Sequence, residues 1–261
     1  MKKVIYKLFL AFIFTFLYAP IFILIINSFN SSKSRAVWSG FTFKWYKTLI
    51  QNHAILQAAE NTLIIAMVSS LIAAILGTIA CVGLVNSRKF FQAFLINLNN
   101  IPIINPEIVV GISSMVFFVM IYKLTGFLKP GLTTLIISHS TFCAPYVFLS
   151  VLPKIRQITP QIPEAAQDLG CTPFKAFYKV LLPEITPGIV TGIMMSFTMS
   201  IDDFTISYFT SGNVQTLPLA IYSMTRKSIS PEINALSTIF FFTVLLMLVI
   251  INIINDDIEW I

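Results

Sequence analysis

A chain of 261 residues in which 56% are hydrophobic and only 11% are charged has too little polar surface to cover itself in water, since soluble domains carry about 25% charged residues. Its formal charge is +6, but the Lys and Arg residues stand singly or in pairs at the ends of apolar runs, which argues against a nucleic-acid partner. Cys81 and Cys143 lie inside apolar runs and Cys171 in a polar loop, so neither a disulfide framework nor a metal-ligand spacing follows.

Crossing a hydrocarbon core of about 30 Å takes about 20 apolar residues, and six runs qualify, giving an all-α polytopic membrane protein read as one domain, 1–261. The first, 8–26, is too long for a signal-peptide core and lacks a small-x-small cleavage pattern, so it is expected to remain as a span. A polar stretch, 27–60, carries Trp38, Trp45 and Tyr46, residues suited to a membrane boundary. The second run, 62–85, ends at Arg88 and Lys89. The third, 93–122, is interrupted by Pro102 and Pro106 among Asn97, Asn99, Asn100 and Asn105, which predicts a broken helix lining a cavity.

The fourth span follows Lys129, Pro130 and Gly131 and ends near 152, before a polar segment, 153–184. The fifth is expected after Pro187, through a row of Thr191, Ser196, Thr198 and Ser200 that ends at Asp202 and Asp203. Its Gly188 and Gly192 have the four-residue spacing that lets helices approach closely. Pro231 opens the sixth, which runs to about 254 ahead of a short acidic tail. Six spans put both termini on one side, yet a cytoplasmic assignment leaves the basic residues almost evenly divided, so charge does not fix the orientation.

The segment 163–183 is punctuated as two short helices. Pro163 opens the first with Glu164 beside its positive end, Gly170 stops it, and Thr172-Pro173 caps and starts the second. Ala165, Ala166 and Leu169 make a small-residue face over which another protein can close. The alternative is an amphipathic loop resting on the bilayer. Glu164-Ala165-Ala166, Gly170 and Leu182-Pro183 in this order resemble the EAA loop of ABC-importer permeases. The resemblance implies that 153–184 is cytoplasmic and that Glu164, Ala165, Ala166, Leu169, Gly170, Pro173 and Phe174 couple to an ATPase subunit. The chain has no phosphate loop of its own: Gly126 to Gly131 is followed by Leu132 where Lys is required. No catalytic residue, cofactor or metal is therefore expected. His53 and His139 are isolated, and His139 is expected to be a hydrogen-bonded packing residue.

Glu107, directly after Pro106, is an ionisable group inside a span and so a candidate for the solute pathway. Asp202 and Asp203, with Phe204 and Tyr208 nearby, are the second. Carboxylates beside aromatic faces suit a cationic, strongly hydrated ligand, such as a polyamine, and repel sulfate or phosphate. Helix capping by the aspartates, and an ion pair or hydrogen bond holding the broken helix for Glu107, are the alternatives. The segments His139 to Pro145, Glu164 to Gly170, Ser200 to Phe204, Leu217 to Met224 and Ser230 to Leu236 resemble the C-type permeases of spermidine/putrescine importers. The short tail and many Ile and Phe substitutions depart from that pattern without touching the loop.

That resemblance implies a type I ABC-importer, MetI-like fold in a bacterial inner membrane with both termini cytoplasmic. It also implies a homologous second permease, two cytoplasmic ATPase subunits and an extracytoplasmic polyamine-binding protein. Two other readings stay open: the same fold carrying another small cationic or neutral solute, and a secondary transporter or channel. The last would need its own ion-coupling groups and gives no reason for the 163–183 loop.

Overall fold

The computed structural model describes residues 2–32, 37–85, 87–158, 165–166, 168–227 and 231–259. Among them the only β contact is an isolated bridge between Asn30 and Phe41. The helices are α1 (Lys2–Ser28), α2 (Lys44–Gln51), α3 (His53–Val85), α4 (Lys89–Ile104), α5 (Glu107–Thr125) and α6 (Leu132–Gln157). After the polar loop come α7 (Pro173–Ala176), α8 (Leu182–Asp202), α9 (Thr205–Thr210), α10 (Leu217–Lys227) and α11 (Pro231–Glu259). Among the described residues six stretches are long and apolar enough to cross a membrane: Tyr6–Ser28, His53–Val85, Glu107–Thr125, Leu132–Gln157, Pro173–Asp202 and Pro231–Val249.

The count of six agrees with the sequence, whereas several boundaries move. Helix α3 starts at His53, before the apolar run, because the Asn52 side chain accepts from the N–H groups of Ala54 and Ile55 at 3.2 and 3.4 Å. Hydropathy marks where lipid begins; the cap marks where the helix begins. The third run is two helices, parted at Asn105. Pro106 has no N–H to donate and holds Asn105 extended (φ −73°, ψ 141°), and its own carbonyl accepts from Val109 at 2.9 Å to restart the ladder as α5. Pro102, by contrast, is carried inside α4.

The fifth span begins at Pro173 rather than after Pro187. Between α7 and α8 the chain widens into a π-helical turn, Phe177–Leu181, whose closing bond runs from Leu182 N–H to the Phe177 carbonyl. That turn accommodates Pro183 without a break, so α7 and α8 make one continuous rod. Helix α6 likewise passes through Pro145 and Pro153.

The chain divides into two compact units. In the one formed by 58–219 and 248–261, α6 packs along α8 with glycine allowing the close approach. A Cβ added at Gly77 of α3 would lie 2.8 Å from Val147 Cβ, and one at Gly192 of α8 would lie 2.9 Å from Val147 Cα. At Gly188 an added Cβ would lie 3.0 Å from the Ser150 carbonyl oxygen, so the Gly188 and Gly192 spacing serves the close helix contact expected of it. The thiols of Cys81 and Cys143 donate to the carbonyls of Phe148 and Ser196, and Ser196 Oγ donates back to the Cys143 carbonyl. Both cysteines are buried packing residues with weak S–H donors.

The unit formed by 1–57 and 220–247 holds the loop after α1. The Asn30 side chain accepts from the N–H groups of Ser32 and Ser39 and donates to the Val37 carbonyl. Trp45 Nε1 donates to the Asn30 carbonyl at 2.8 Å, and Phe29 stacks on Phe41 at 5.1 Å. Of the three expected boundary aromatics, Trp38 is exposed, while Trp45 is buried and Tyr46, in α2, shares a hydrogen bond with Ser28 at the end of α1.

Candidate functional site

Two interruptions in helices meet at one place. Helix α8 ends at Asp202, the chain is extended at Asp203 (φ −63°, ψ 118°), and α9 begins at Thr205. Helix α9 packs on α5 close to where α5 itself begins. The approach depends on Gly111, where an added Cβ would lie 2.9 Å from the Phe209 ring and 3.4 Å from the Thr205 carbonyl oxygen. Unwound backbone at membrane depth is tolerated only when buried in protein or facing a polar cavity, and Asp203 at the break is buried.

The two adjacent aspartates have opposite surroundings. Asp203 is buried, and its carboxylate oxygens accept from Ile206 N–H at 3.2 Å and Ser207 N–H at 2.8 Å, which caps α9. Asp202 is exposed at the tip of α8. Glu107, the first residue of α5, is also exposed and lies within electrostatic reach of Asp202 and of Tyr146 on α6. Phe204 and Tyr208 stand together with ring centroids 5.6 Å apart, Tyr208 being exposed. The structure therefore gathers Glu107, Asp202, Phe204 and Tyr208 around one corner and commits the Asp203 carboxylate to capping. Acidic groups beside aromatic faces can replace part of the water around a cation.

His139 of α6 is buried and hydrogen-bonded, as the sequence suggested. Its ring contacts Ser200 Oγ through Nδ1 at 2.7 Å and Ser207 Oγ through Nε2 at 3.0 Å, with Asp203 Oδ2 3.5 Å from Nε2. Ser200 in turn bonds Ser69 of α3 at 3.2 Å. The Ser/Thr row of the fifth span is consequently not one continuous lining. Ser196 and Ser200 face α6, while Thr191 and Thr198 donate back to the carbonyls of Pro187 and Met194. Tyr146 and Ser207 escaped the sequence reading because nothing within their own segments marks them; their partners are on other helices.

The polar loop presents a separate exposed surface. Ala165, Ala166 and Asp168 are helical. The turn ends with Gly170 in the left-handed region (φ +88°) and a bond from Cys171 N–H to the Ala166 carbonyl at 3.0 Å, a Schellman ending. Thr172 Oγ1 then accepts from Lys175 N–H, and Pro173 takes the first position of α7. Two helical pieces punctuated at Gly170 and Thr172-Pro173 are thus present. Leu169 and Phe174 are 88% and 77% exposed, large apolar groups held outward. Glu164 lies outside the described residues. No group of three or more His, Cys, Asp or Glu among the described residues is placed to hold a metal ion.

Residues 69–259, which contain both the corner and the loop, match the family described as binding-protein-dependent transport system inner membrane component. The chain belongs to that family. The permease is 41% identical over 232 residues to the putrescine transport system permease protein PotI of Escherichia coli (strain K12), covering 87% of this chain and 82% of the relative. It is 38% identical over 250 residues to the spermidine/putrescine transport system permease protein PotC of the same organism, covering 95% and 93%. A bacterial ABC transporter involved in the import of the acidic polysaccharide alginate has the same fold, with a TM-score of 0.73 at 18% identity over 99% of this chain and 96% of that one. The fold is that of a type I ABC-importer permease, and the chain is a multi-pass membrane protein.

Proposed function

We propose that this permease carries polyamines into the cytoplasm as one of two homologous membrane subunits of an ATP-driven importer. The observation that carries the reading is the corner where α5 and α9 begin: Glu107 and Asp202 are exposed there beside the Phe204–Tyr208 pair. A flexible dication or trication loses water on entering such a place and regains charge and ring-face contacts. The names of PotI and PotC point to the same substrate class.

Energy comes from outside the chain in this reading. Of two cytoplasmic ATPase subunits, one grips the exposed loop of this chain through Leu169, Phe174 and the neighbouring Ala165 and Ala166, with Glu164, Gly170 and Pro173 contributing to the same coupling surface. An extracytoplasmic binding protein delivers the substrate, and both termini lie in the bacterial cytoplasm. ATP closure tilts the rod formed by α7 and α8, which carries the loop at one end and Asp202 at the other. No covalent step occurs in the permease.

The test is uptake of labelled spermidine and putrescine by membrane vesicles containing the assembled importer. Combining Glu107→Gln with Asp202→Asn is expected to raise KM about tenfold at unchanged membrane abundance, in line with loss of a charge-assisted contact. Parent-like uptake kinetics would remove both carboxylates from the pathway.

A further inference from the structure

The structure assigns His139 as a positioning residue: from α6 it holds the corner between α8 and α9 and so sets where Asp202 and Tyr208 stand. Five buried side chains on α3, α6, α8, the corner and α9 form one chain of contacts: Ser69, Ser200, His139, Ser207 and Asp203. Capping of α9 needs only Asp203, which already accepts two backbone N–H groups. The ring adds something a cap does not supply. Its two nitrogens reach Ser200 before the break and Ser207 after it, so the span across unwound backbone is fixed by the width of an imidazole.

The polarity of the contacts fits this use. A proton on Nε2 faces the Asp203 carboxylate and the Ser207 hydroxyl, which leaves Nδ1 to accept from the Ser200 hydroxyl. Burying such a chain among membrane-spanning helices is costly unless every member is paired, and the pairing makes the corner rigid. The far end of α9 is fastened to the same helix, because Thr134 Oγ1 donates to the Thr210 carbonyl at 2.8 Å. Helix α9 is therefore tied to α6 at both ends. Two of the exposed pathway residues are immediate neighbours of tied ones, Asp202 beside Asp203 and Tyr208 beside Ser207. A shift of the ring is passed directly to the groups that meet the solute.

The substrate part of this role rests on the polyamine reading, but its geometry does not, and the experiment separates the two. A Tyr208→Cys reporter is placed in a Cys171→Ser background, the remaining cysteines Cys81 and Cys143 being buried. Its labelling rate with a water-soluble maleimide is measured in membranes containing the assembled importer. Spermidine KM and maximal rate are measured in the same importer without the reporter. His139→Leu fills similar space without ring nitrogens and is expected to change the labelling rate and the KM about tenfold each. His139→Gln, which restores a donor and an acceptor, recovers most of both.

Labelling at the parent rate in His139→Leu overturns the assignment. If that variant does not reach the membrane, Ser207→Ala removes one arm and leaves ring and carboxylate in place, with an expected change of about threefold; a parent-like labelling rate there overturns it equally. Absence of polyamine uptake by the unmutated importer would sink the substrate reading, while the labelling rates would still decide the role of His139.

Discussion

At the scale of single residues, Asp202 and Asp203 show how one residue of chain decides chemistry. They are the same side chain in adjacent positions, yet α8 stops between them, so one carboxylate is left exposed and the other is turned into the start of α9. The expected outcomes of substitution differ accordingly. Asp203→Ala leaves two N–H groups without their acceptor and the His139 ring without its carboxylate neighbour, and should cost about 2–3 kcal/mol of stability, seen as a lower melting temperature of the detergent-purified permease. Asp202→Ala should melt like the parent and show its effect in KM for uptake. Equal melting temperatures for the two variants would contradict this division. The pair was legible in the sequence as a candidate, because carboxylates at the end of an apolar run are costly and few. Which member does what was not, since it depends on the single position at which a helix ends, and no residue within the segment specifies that.

At the scale of elements, the exposed loop was the most legible part of the chain because its punctuation is local. Gly170 and Thr172-Pro173 act through backbone geometry within a few residues, and both appear where the sequence put them. An added Cβ at Gly170 meets nothing within 4 Å, so the need for glycine is conformational rather than steric. Asn tolerates the left-handed region and Val does not. Gly170→Val is therefore expected to reach the membrane normally but to lose most uptake and ATPase stimulation, whereas Gly170→Asn retains the larger share of both. Similar losses in the two variants would show that size, not backbone shape, matters at this position. The joining of α7 to α8 was not legible in the same way. Pro187 read as the start of the span, whereas the helix begins earlier, continues through the π-helical turn ahead of Pro183 and carries Pro187 inside it.

At the scale of the molecule, the number of spans follows from hydropathy, and glycine spacing marks α8 as a close-packing helix, but the partner it approaches had to be seen. That partner is Val147 of α6, held between Gly77 of α3 and Gly192 of α8. The contact lies on the rod that runs from Pro173 to Asp202, a stretch of 30 residues, or about 45 Å at the rise of an α-helix. Movement proposed to enter at the loop and leave at the corner has to pass this point, where three helices approach too closely for an added Cβ. Gly192→Ala would put a Cβ 2.9 Å from the Val147 backbone, so one of the helices must shift, at a cost of about 1–3 kcal/mol. Gly83 in α3 supplies the comparison, because an added Cβ there meets nothing within 4 Å. Gly83→Ala should leave stability unchanged or raise it by up to about 1 kcal/mol through lost freedom of the unfolded chain. Thermal unfolding of the two variants in the same detergent is thus expected to move in opposite directions, or at least only Gly192→Ala downward. If both melt alike, the close packing of α6 against α8 does not hold this bundle together, and the rod has no fixed point about which to tilt.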